Sequence, residues 1–306
     1  MNTETLVDPY WSRAAETYEL AERVDPVVWG ANQDGQQLGP DDRPMDQLMS
    51  QFQSDGYLHS PHLLPTNEAE ALLSEANHLA EVAAKNPGPG VIREPGSGVV
   101  RSLFRLHRTN ERFRQLAKDP RILNVVKAIL GDDVYVHQSR INYKPAFDGK
   151  EFFWHSDFET WHVEDGVPRM RAVSVSVSLS ATTEFNGPLI ILPGSHQTYV
   201  RCVGETPENH FEQSLKKQEY GVPSREAMET LVQQHGMLAP KGDPGSAVFF
   251  ECNLMHGSCG NLSPYPRTNF FIVYNSLENR AVEPFGDRPP RPEYLAERDF
   301  TPVEQL

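Results

Sequence analysis

The 306-residue sequence predicts a mainly β protein with flanking helices, built on a double-sheet jelly-roll or cupin-like core. Three observations carry that prediction. Apolar residues repeat with helical spacing in the first third of the chain and with strand spacing afterwards. Residues 172–180 alternate without a break, with Val173, Val175, Val177 and Leu179 on one face and Ser174, Ser176, Ser178 and Ser180 on the other. Such a strand is half apolar and half polar, as in a small barrel with a wet lumen or a sheet with one solvated face. Several more short apolar runs, punctuated by Gly and Pro, follow one another between residues 134 and 280. No internal repeat interrupts this layout. The expectation is a single domain over 1–306, with a helix-rich front (about 1–133), a barrel (about 134–280) and a Pro-rich tail (283–306) lying over the surface.

The elements follow in order. Thr66 is placed to cap a helix whose apolar face is Ala69, Leu72, Leu73, Ala76, Leu79 and Ala80. Residues 86–99 are rich in Gly and Pro and suit a mobile surface loop or lid. Asp119 caps a second helix, Pro120 fits its first position, and Gly131 ends it. Strands are expected over 134–143, 152–157, 172–180, 188–193, 246–252 and 268–276. A polar insertion over about 202–240 holds a helix at 224–235.

Bulk properties narrow the function. Hydrophobic residues make up 38% of the chain and charged ones 23%, which suits a packed soluble protein. A net charge of −14 argues against nucleic acid or an anionic membrane surface as partner, since both need a basic patch. No apolar run approaches the ~18 residues of a membrane span. The N-terminus lacks the basic and apolar regions of a signal peptide, so a cytoplasmic location is expected. Cys202, Cys252 and Cys259 form no CxxC pattern and fit free thiols in a reducing compartment.

The chemistry concentrates in His155 and Asp157. On a strand, residues two apart point the same way, and a neutral imidazole plus a carboxylate is two thirds of the 2-His-1-carboxylate triad that holds Fe(II). Phe152, Phe153, Trp154, Phe158 and Trp161 would surround the pair with apolar walls. A second imidazole must come from a distant strand. His256 follows an apolar strand, and Arg267 comes with ten residues between it and His256. An iron enzyme that uses 2-oxoglutarate needs a buried cation for the far carboxylate, and Arg supplies a bidentate fork that keeps its charge. The other histidines have plainer readings. His162 faces away from His155 in a regular strand, His196 closes a turn, and His137 and His235 are structural. Glu159 shares the face of the pair but lies near the strand's end. Phe250, Phe271 and Tyr274 are either pocket walls or ordinary core. The residues alone leave open a non-oxidative cupin-like metal protein, such as an isomerase or a ligand-binding module.

Four short motifs resemble the phytanoyl-CoA dioxygenase-like superfamily of Fe(II)/2-oxoglutarate oxygenases: Trp154-His155-Ser156-Asp157, Gly187-Pro188-Leu189, Pro193-Gly194-Ser195-His196 and Met255-His256-Gly257-Ser258. The longer block over 152–168 resembles the ectoine hydroxylases within it, and so do segments 25–30, 168–172, 202–207 and 217–223. Val167 departs from the bulkier aliphatic expected there. The resemblance implies a double-stranded β-helix in a cytoplasmic homodimer. It implies iron ligands His155, Asp157 and His256, and 2-oxoglutarate contacts from Arg267 and Ser258 with Asn142 and Lys144 assisting. Gln138, Thr160 and Trp161 match substrate positions, and Ser176 on the polar strand face is a further candidate. The implied reaction consumes L-ectoine, 2-oxoglutarate and O2 and yields 5-hydroxyectoine, succinate and CO2. Hydroxylation of another small amino-acid-like solute is the alternative.

Overall fold

The computed structural model describes residues 10, 13, 17–30, 37–209, 211–214 and 220–306; the 217–219 part of the matching motifs lies outside them. The strands are β1 (Glu19–Glu22), β2 (Tyr57–Ser60), β3 (Val91–Arg93), β4 (Val100–Phe104), β5 (Val134–Lys144) and β6 (Phe152–His155). They continue with β7 (Ala172–Ser178), β8 (Leu189–Ile191), β9 (Thr198–Arg201), β10 (Ala247–Glu251), β11 (His256–Ser258) and β12 (Arg267–Ser276). The helices are α1 (Met45–Asp55), α2 (Thr66–Lys85), α3 (Leu106–Thr109), α4 (Glu111–Leu116), α5 (Pro120–Leu130), α6 (Asp157–Thr160), α7 (Phe211–Ser214) and α8 (Arg225–His235).

A seven-stranded antiparallel sheet runs β2-β10-β7-β12-β5-β4-β3, and a three-stranded sheet runs β6-β11-β8. A separate two-stranded ribbon pairs β1 with β9. Strand alternation decides what each face does. Val173, Val175 and Val177 of β7, with Phe270, Ile272 and Tyr274 of β12, enter one apolar core together with Phe52 of α1, Leu72 of α2 and Ile129 of α5. The opposite face carries Ser174, Ser176 and Phe271 toward the small sheet, where Leu189 and Ile191 of β8 pack with Val248, Phe250 and Phe271. The expected split between an apolar outer face and a polar lumen therefore holds, with both faces buried.

Helix α5 follows its sequence signals closely. The Asp119 carboxylate accepts from the Arg121 amide at 2.8 Å, Pro120 takes the first turn, and Gly131 ends the helix at φ +62°. Ser224 likewise caps α8. Other expectations need correction. Pro65, not Thr66, precedes α2, and Thr66 is its first helical residue with no side-chain cap. The front third is not purely helix and loop: β2, β3 and β4 join the large sheet, each too short for alternation to declare itself. Strand β3 falls inside the expected 86–99 loop and pairs with β4. The 152–157 strand stops at His155, because the Ser156 hydroxyl accepts from the Glu159 amide at 3.3 Å and starts α6.

The tail is also more than a surface strap. The Glu297 amide donates to the His137 carbonyl at 2.8 Å, and the Val303 amide to Val134 at 2.8 Å. Leu295, Ala296 and Glu297 are buried. The Pro content masked this, because a chain without regular elements can still dock through scattered backbone bonds.

Two substitutions in α5 check the capping argument. Asp119→Ala removes one cap and is expected to cost about 1 kcal/mol. Gly131→Ala is expected to cost more, since a Cβ there would lie 2.6 Å from the Trp29 carbonyl oxygen at a φ that L residues avoid. Urea unfolding of the two variants should rank them in that order.

Candidate metal centre and substrate pocket

The antiparallel register of β6 and β11 sets His155 directly opposite His256, with ring centroids 4.2 Å apart. Asp157 opens α6 two residues after His155. The nearest Asp157 oxygen lies 3.7 Å from His155 Nε2 and 3.9 Å from His256 Nε2, and the three donor atoms all fall within 4.8 Å of one another. All three side chains are buried.

Backbone carbonyls orient the two rings. His155 Nδ1 lies 2.6 Å from the Phe153 oxygen and His256 Nδ1 lies 2.9 Å from the Leu254 oxygen. A carbonyl only accepts, so each Nδ1 carries the proton and each Nε2 offers a lone pair toward Asp157. The Ser174 hydroxyl donates to the other Asp157 oxygen at 3.0 Å. Burial and the neighbouring His256 push the His155 imidazole down to about 4, which keeps it neutral. Burial acts to raise the Asp157 carboxyl, but His256, His155 and Arg140 more than offset it and hold the group below its usual range. Two imidazoles and one carboxylate, pre-oriented on one side, suit Fe(II).

Two cavities meet at these ligands, sharing Arg140, Asn142, Phe152 and His155. The smaller, about 30 Å³, is lined by His256, Ser258, Arg267 and Phe271 among others. Arg267 is 4% exposed, makes no ion pair or hydrogen bond among the described residues, and its Nε is buried without a partner. Burial alone pushes its guanidinium down to about 10. A buried cation without a counter-ion is expensive, and its presence beside a cavity calls for an anion there. Asn142 lies on the same wall and accepts from the Ser102 hydroxyl at 2.8 Å.

Lys144, expected to assist, is placed differently. Its Nζ donates to the carbonyls of Lys150 (2.8 Å) and Cys259, and it lines neither of these two cavities. Burial, with Arg267 and Arg101 nearby, pushes it down to about 6. Its place is behind Phe152, 5.3 Å from that ring. Ser176 also lines neither cavity, since its hydroxyl accepts from Asn269 at 2.9 Å.

The larger cavity, about 80 Å³, gathers Gln138, Thr160 and Trp161 as the sequence suggested. Trp161 lies one helical turn after Asp157, at i+4, so both point to one side. Trp161 starts a π-helical turn, Trp161–Asp165. The His137 ring meets the Trp161 ring edge-on at 5.3 Å, and His137 Nε2 lies 3.2 Å from Asp165. Asp165 in turn accepts from Arg291 Nε at 2.7 Å and Nη2 at 2.5 Å. Gln138 is fixed between the Leu295 carbonyl (2.6 Å) and Arg140.

Sequence reasoning missed six residues on this wall: Ser102, Phe104, Arg140, Glu164, Tyr220 and Arg291. A signal existed for Arg140, which lies between Gln138 and Asn142 at period two on β5. Arg291 sits in the irregular tail and carried none. The remaining expectations resolve simply. His162 stacks on Phe285 at 4.0 Å and its Nδ1 lies 2.8 Å from the Val167 carbonyl, away from the metal ligands. Glu159 is ion-paired to Arg13 at 2.6 Å. His196 lies in the turn Ser195–Gln197. Tyr274 belongs to the helical core, whereas Phe271 lines the smaller cavity and Phe250 meets the His256 ring at 5.0 Å. The three cysteines are free.

Comparison with known proteins agrees with this geometry. The phytanoyl-CoA dioxygenase family model matches residues 52–269. The ectoine dioxygenase of Sphingopyxis alaskensis is 47% identical over 294 residues, covering 96% of this chain and 94% of its own. That of Halomonas elongata is 47% identical, covering 94% and 86%. Among solved structures, EctD from S. alaskensis with bound Fe superposes with a TM-score of 0.86 at 41% identity, covering 98% of each chain. The same protein with 2-oxoglutarate and 5-hydroxyectoine gives 0.87. The carbocyclase SnoK, 18% identical with a TM-score of 0.65, shares the fold. With its fold, its triad and a match over most of its length, the chain belongs to the phytanoyl-CoA dioxygenase family.

Proposed function

We propose that this protein is an Fe(II)- and 2-oxoglutarate-dependent dioxygenase that hydroxylates L-ectoine to 5-hydroxyectoine, releasing succinate and CO2. The observation that carries the co-substrate is the unpaired, buried Arg267 guanidinium beside the triad. The substrate rests on the ectoine dioxygenases, which match this chain at 44–48% identity over nearly its whole length. A non-oxidative cupin would have no use for an uncompensated cation at that place.

His155, Asp157 and His256 hold the metal, which when bound supplies O2 activation coupled to oxidative decarboxylation of the keto acid. The residues of the chain do the rest. Arg267 and the Ser258 hydroxyl, both facing the smaller cavity, bind the distal carboxylate of 2-oxoglutarate, and Asn142 and Arg140 wall the space between them and the metal ligands. Lys144 acts from behind this wall, through its contact with Phe152.

Ectoine is a small zwitterion with a delocalised amidinium ring and a carboxylate. The amidinium fits the Trp161 face, an interaction worth ~1–2 kcal/mol once water is excluded. Arg291, locked on Asp165, offers a cation to the carboxylate. Gln138 and Thr160 give polar contacts on the same wall. Phe152 and Phe271 keep water from the reacting C–H bond. No described helix is long and apolar enough to cross a membrane. Free cysteines suit a cytoplasmic setting, and a homodimer follows the family resemblance.

The basic test is succinate formation that depends on both Fe(II) and ectoine, with 5-hydroxyectoine formed one for one; turnover of proline but not ectoine would overturn the substrate assignment. His155→Ala should bind far less than one iron per chain by metal analysis and lose hydroxylation, so retained iron and turnover would remove it from the ligand set. Arg267→Gln should raise KM for 2-oxoglutarate by about 10- to 100-fold, the ~1.5–3 kcal/mol of a charge-assisted hydrogen bond. Its KM for ectoine should change much less. Steady-state kinetics with each substrate varied in turn separates these effects.

A further inference from the structure

Arg13 lines no part of the cavities, yet it is 3% exposed and its bonds go to the segment behind the substrate wall. Its Nε and Nη2 fork onto the two Glu159 oxygens at 2.6 and 2.7 Å. Its Nη1 donates to Glu164 Oε1 at 2.7 Å and to the Thr206 hydroxyl at 2.8 Å. Nη2 also lies 3.5 Å from the Thr160 hydroxyl. Thr160 and Glu164 are cavity residues, so this one guanidinium grips α6 and the π turn from the rear.

A second element rests on the same group. Gly221, at φ +67°, packs so close that a Cβ would lie 2.5 Å from Glu159 Oε2, 2.7 Å from Arg13 Nη2 and 3.1 Å from Thr160 Oγ1. That approach sets its neighbour Tyr220 into the cavity wall. Arg13 thus joins three separate stretches of chain: the N-terminal segment, the 157–165 helical run, and the return of the 202–240 insertion.

We propose that Arg13 is a positioning residue for the substrate, acting through Glu164 and Arg291; this rests on the reading of the site as an ectoine hydroxylase. Glu159 and Glu164 are buried carboxylates, and Arg13 ion-pairs with both, one cation shared between two carboxylates. Arg291 is the next cation at hand, 4.0 Å from Glu164, while it holds Asp165 with two short bonds. With Arg13 in place, Glu164 is satisfied and Arg291 stays on Asp165. Without it, Glu164 is left charged and buried, and the attraction falls on Arg291. Drawing Arg291 off Asp165 loosens the Asp165–His137–Trp161 chain that sets the indole.

The metal ligands do not share this dependence. Asp157 is held by Ser174, the Phe158 amide by the Cys252 carbonyl at 2.8 Å, and the histidines by the β6–β11 register. The effect of losing Arg13 therefore belongs to the substrate wall and not to iron.

The test uses Arg13→Gln and Arg13→Lys in the iron-loaded full chain. Wild type turning over ectoine with succinate and 5-hydroxyectoine in equal amounts establishes the underlying reading first. Arg13→Gln is expected to raise KM for ectoine at least tenfold and leave KM for 2-oxoglutarate within about twofold. Succinate should then exceed 5-hydroxyectoine, because a misplaced substrate uncouples the two half-reactions, while iron stays at one per chain by metal analysis. Arg13→Lys keeps the charge but not the fork, and is expected to fall between Gln and wild type; it carries the same test if the Gln variant does not fold. A lowered melting temperature with unchanged KM and unchanged coupling in the folded fraction would make Arg13 a purely structural tie and overturn the proposal. Loss of iron or a matching rise in both KM values would overturn it as well.

Discussion

The pairing of β6 with β11 is the constraint on which the site depends. It sets His155 opposite His256, and a slip of one residue would turn one imidazole to the far face of the sheet. The chain just before each histidine supplies the carbonyl that fixes its ring, Phe153 on β6 and Leu254 in the turn leading into β11, each two residues before the histidine it holds. Register and tautomer thus come from one piece of backbone. Ser156 then ends β6 and turns the chain into α6, so that Asp157 swings under the rings. Trp161 follows one helical turn later on the same side. Asp157 and Trp161, the proposed metal ligand and substrate platform, are therefore held at a fixed separation by a strand, a cap and a single helical turn.

The charges around this frame are divided in a way the net charge of −14 conceals. The cavities are walled by Arg140, Arg267 and Arg291, and one of these, Arg291, is ion-paired to a carboxylate behind the wall. Arg291 is matched by Asp165 and Arg140 feels Asp157. Arg267 is matched by nothing among the described residues. Glu164 of the larger cavity and Glu159 behind it are in turn held by Arg13. Arg291 and Glu164 thus have ion-pair partners, whereas Arg267 is the guanidinium proposed to receive the co-substrate.

Much of this was legible in the sequence, because it follows from short-range periodicity and chemistry. The Val/Ser alternation of β7 gave the apolar outer face and polar lumen, and Asp119, Pro120 and Gly131 bounded α5. The triad and Arg267 followed from spacing. His155 and Asp157 were paired on the premise of a continuous strand, whereas the chain changes element at Ser156. The inference survived because a strand end and a capped first turn can present residues two apart to the same point. Arg291 was invisible for another reason: it is brought to the site by irregular chain, and nothing periodic marks where such chain will dock. Lys144, suggested by the resemblance, and Ser176, suggested by strand alternation, lie one layer away from the cavities, a distance that neither signal resolves.

The unpaired Arg267 has a consequence for the folded chain as a whole. Holding a guanidinium out of water with no counter-ion opposes folding, and a protein selected only for stability would place a carboxylate beside it or an apolar residue in its stead. Either change would close the smaller cavity to a dicarboxylate: the first by repulsion and the second by removing the fork. The surrounding structure must therefore supply the difference. It does so through the well-packed helical core on the far face of the same strand, where Phe270 and Ile272 alternate with Asn269 and Phe271 on the face of Arg267. On β12, one face stabilises the fold and the other bears the uncompensated charge that the chemistry needs.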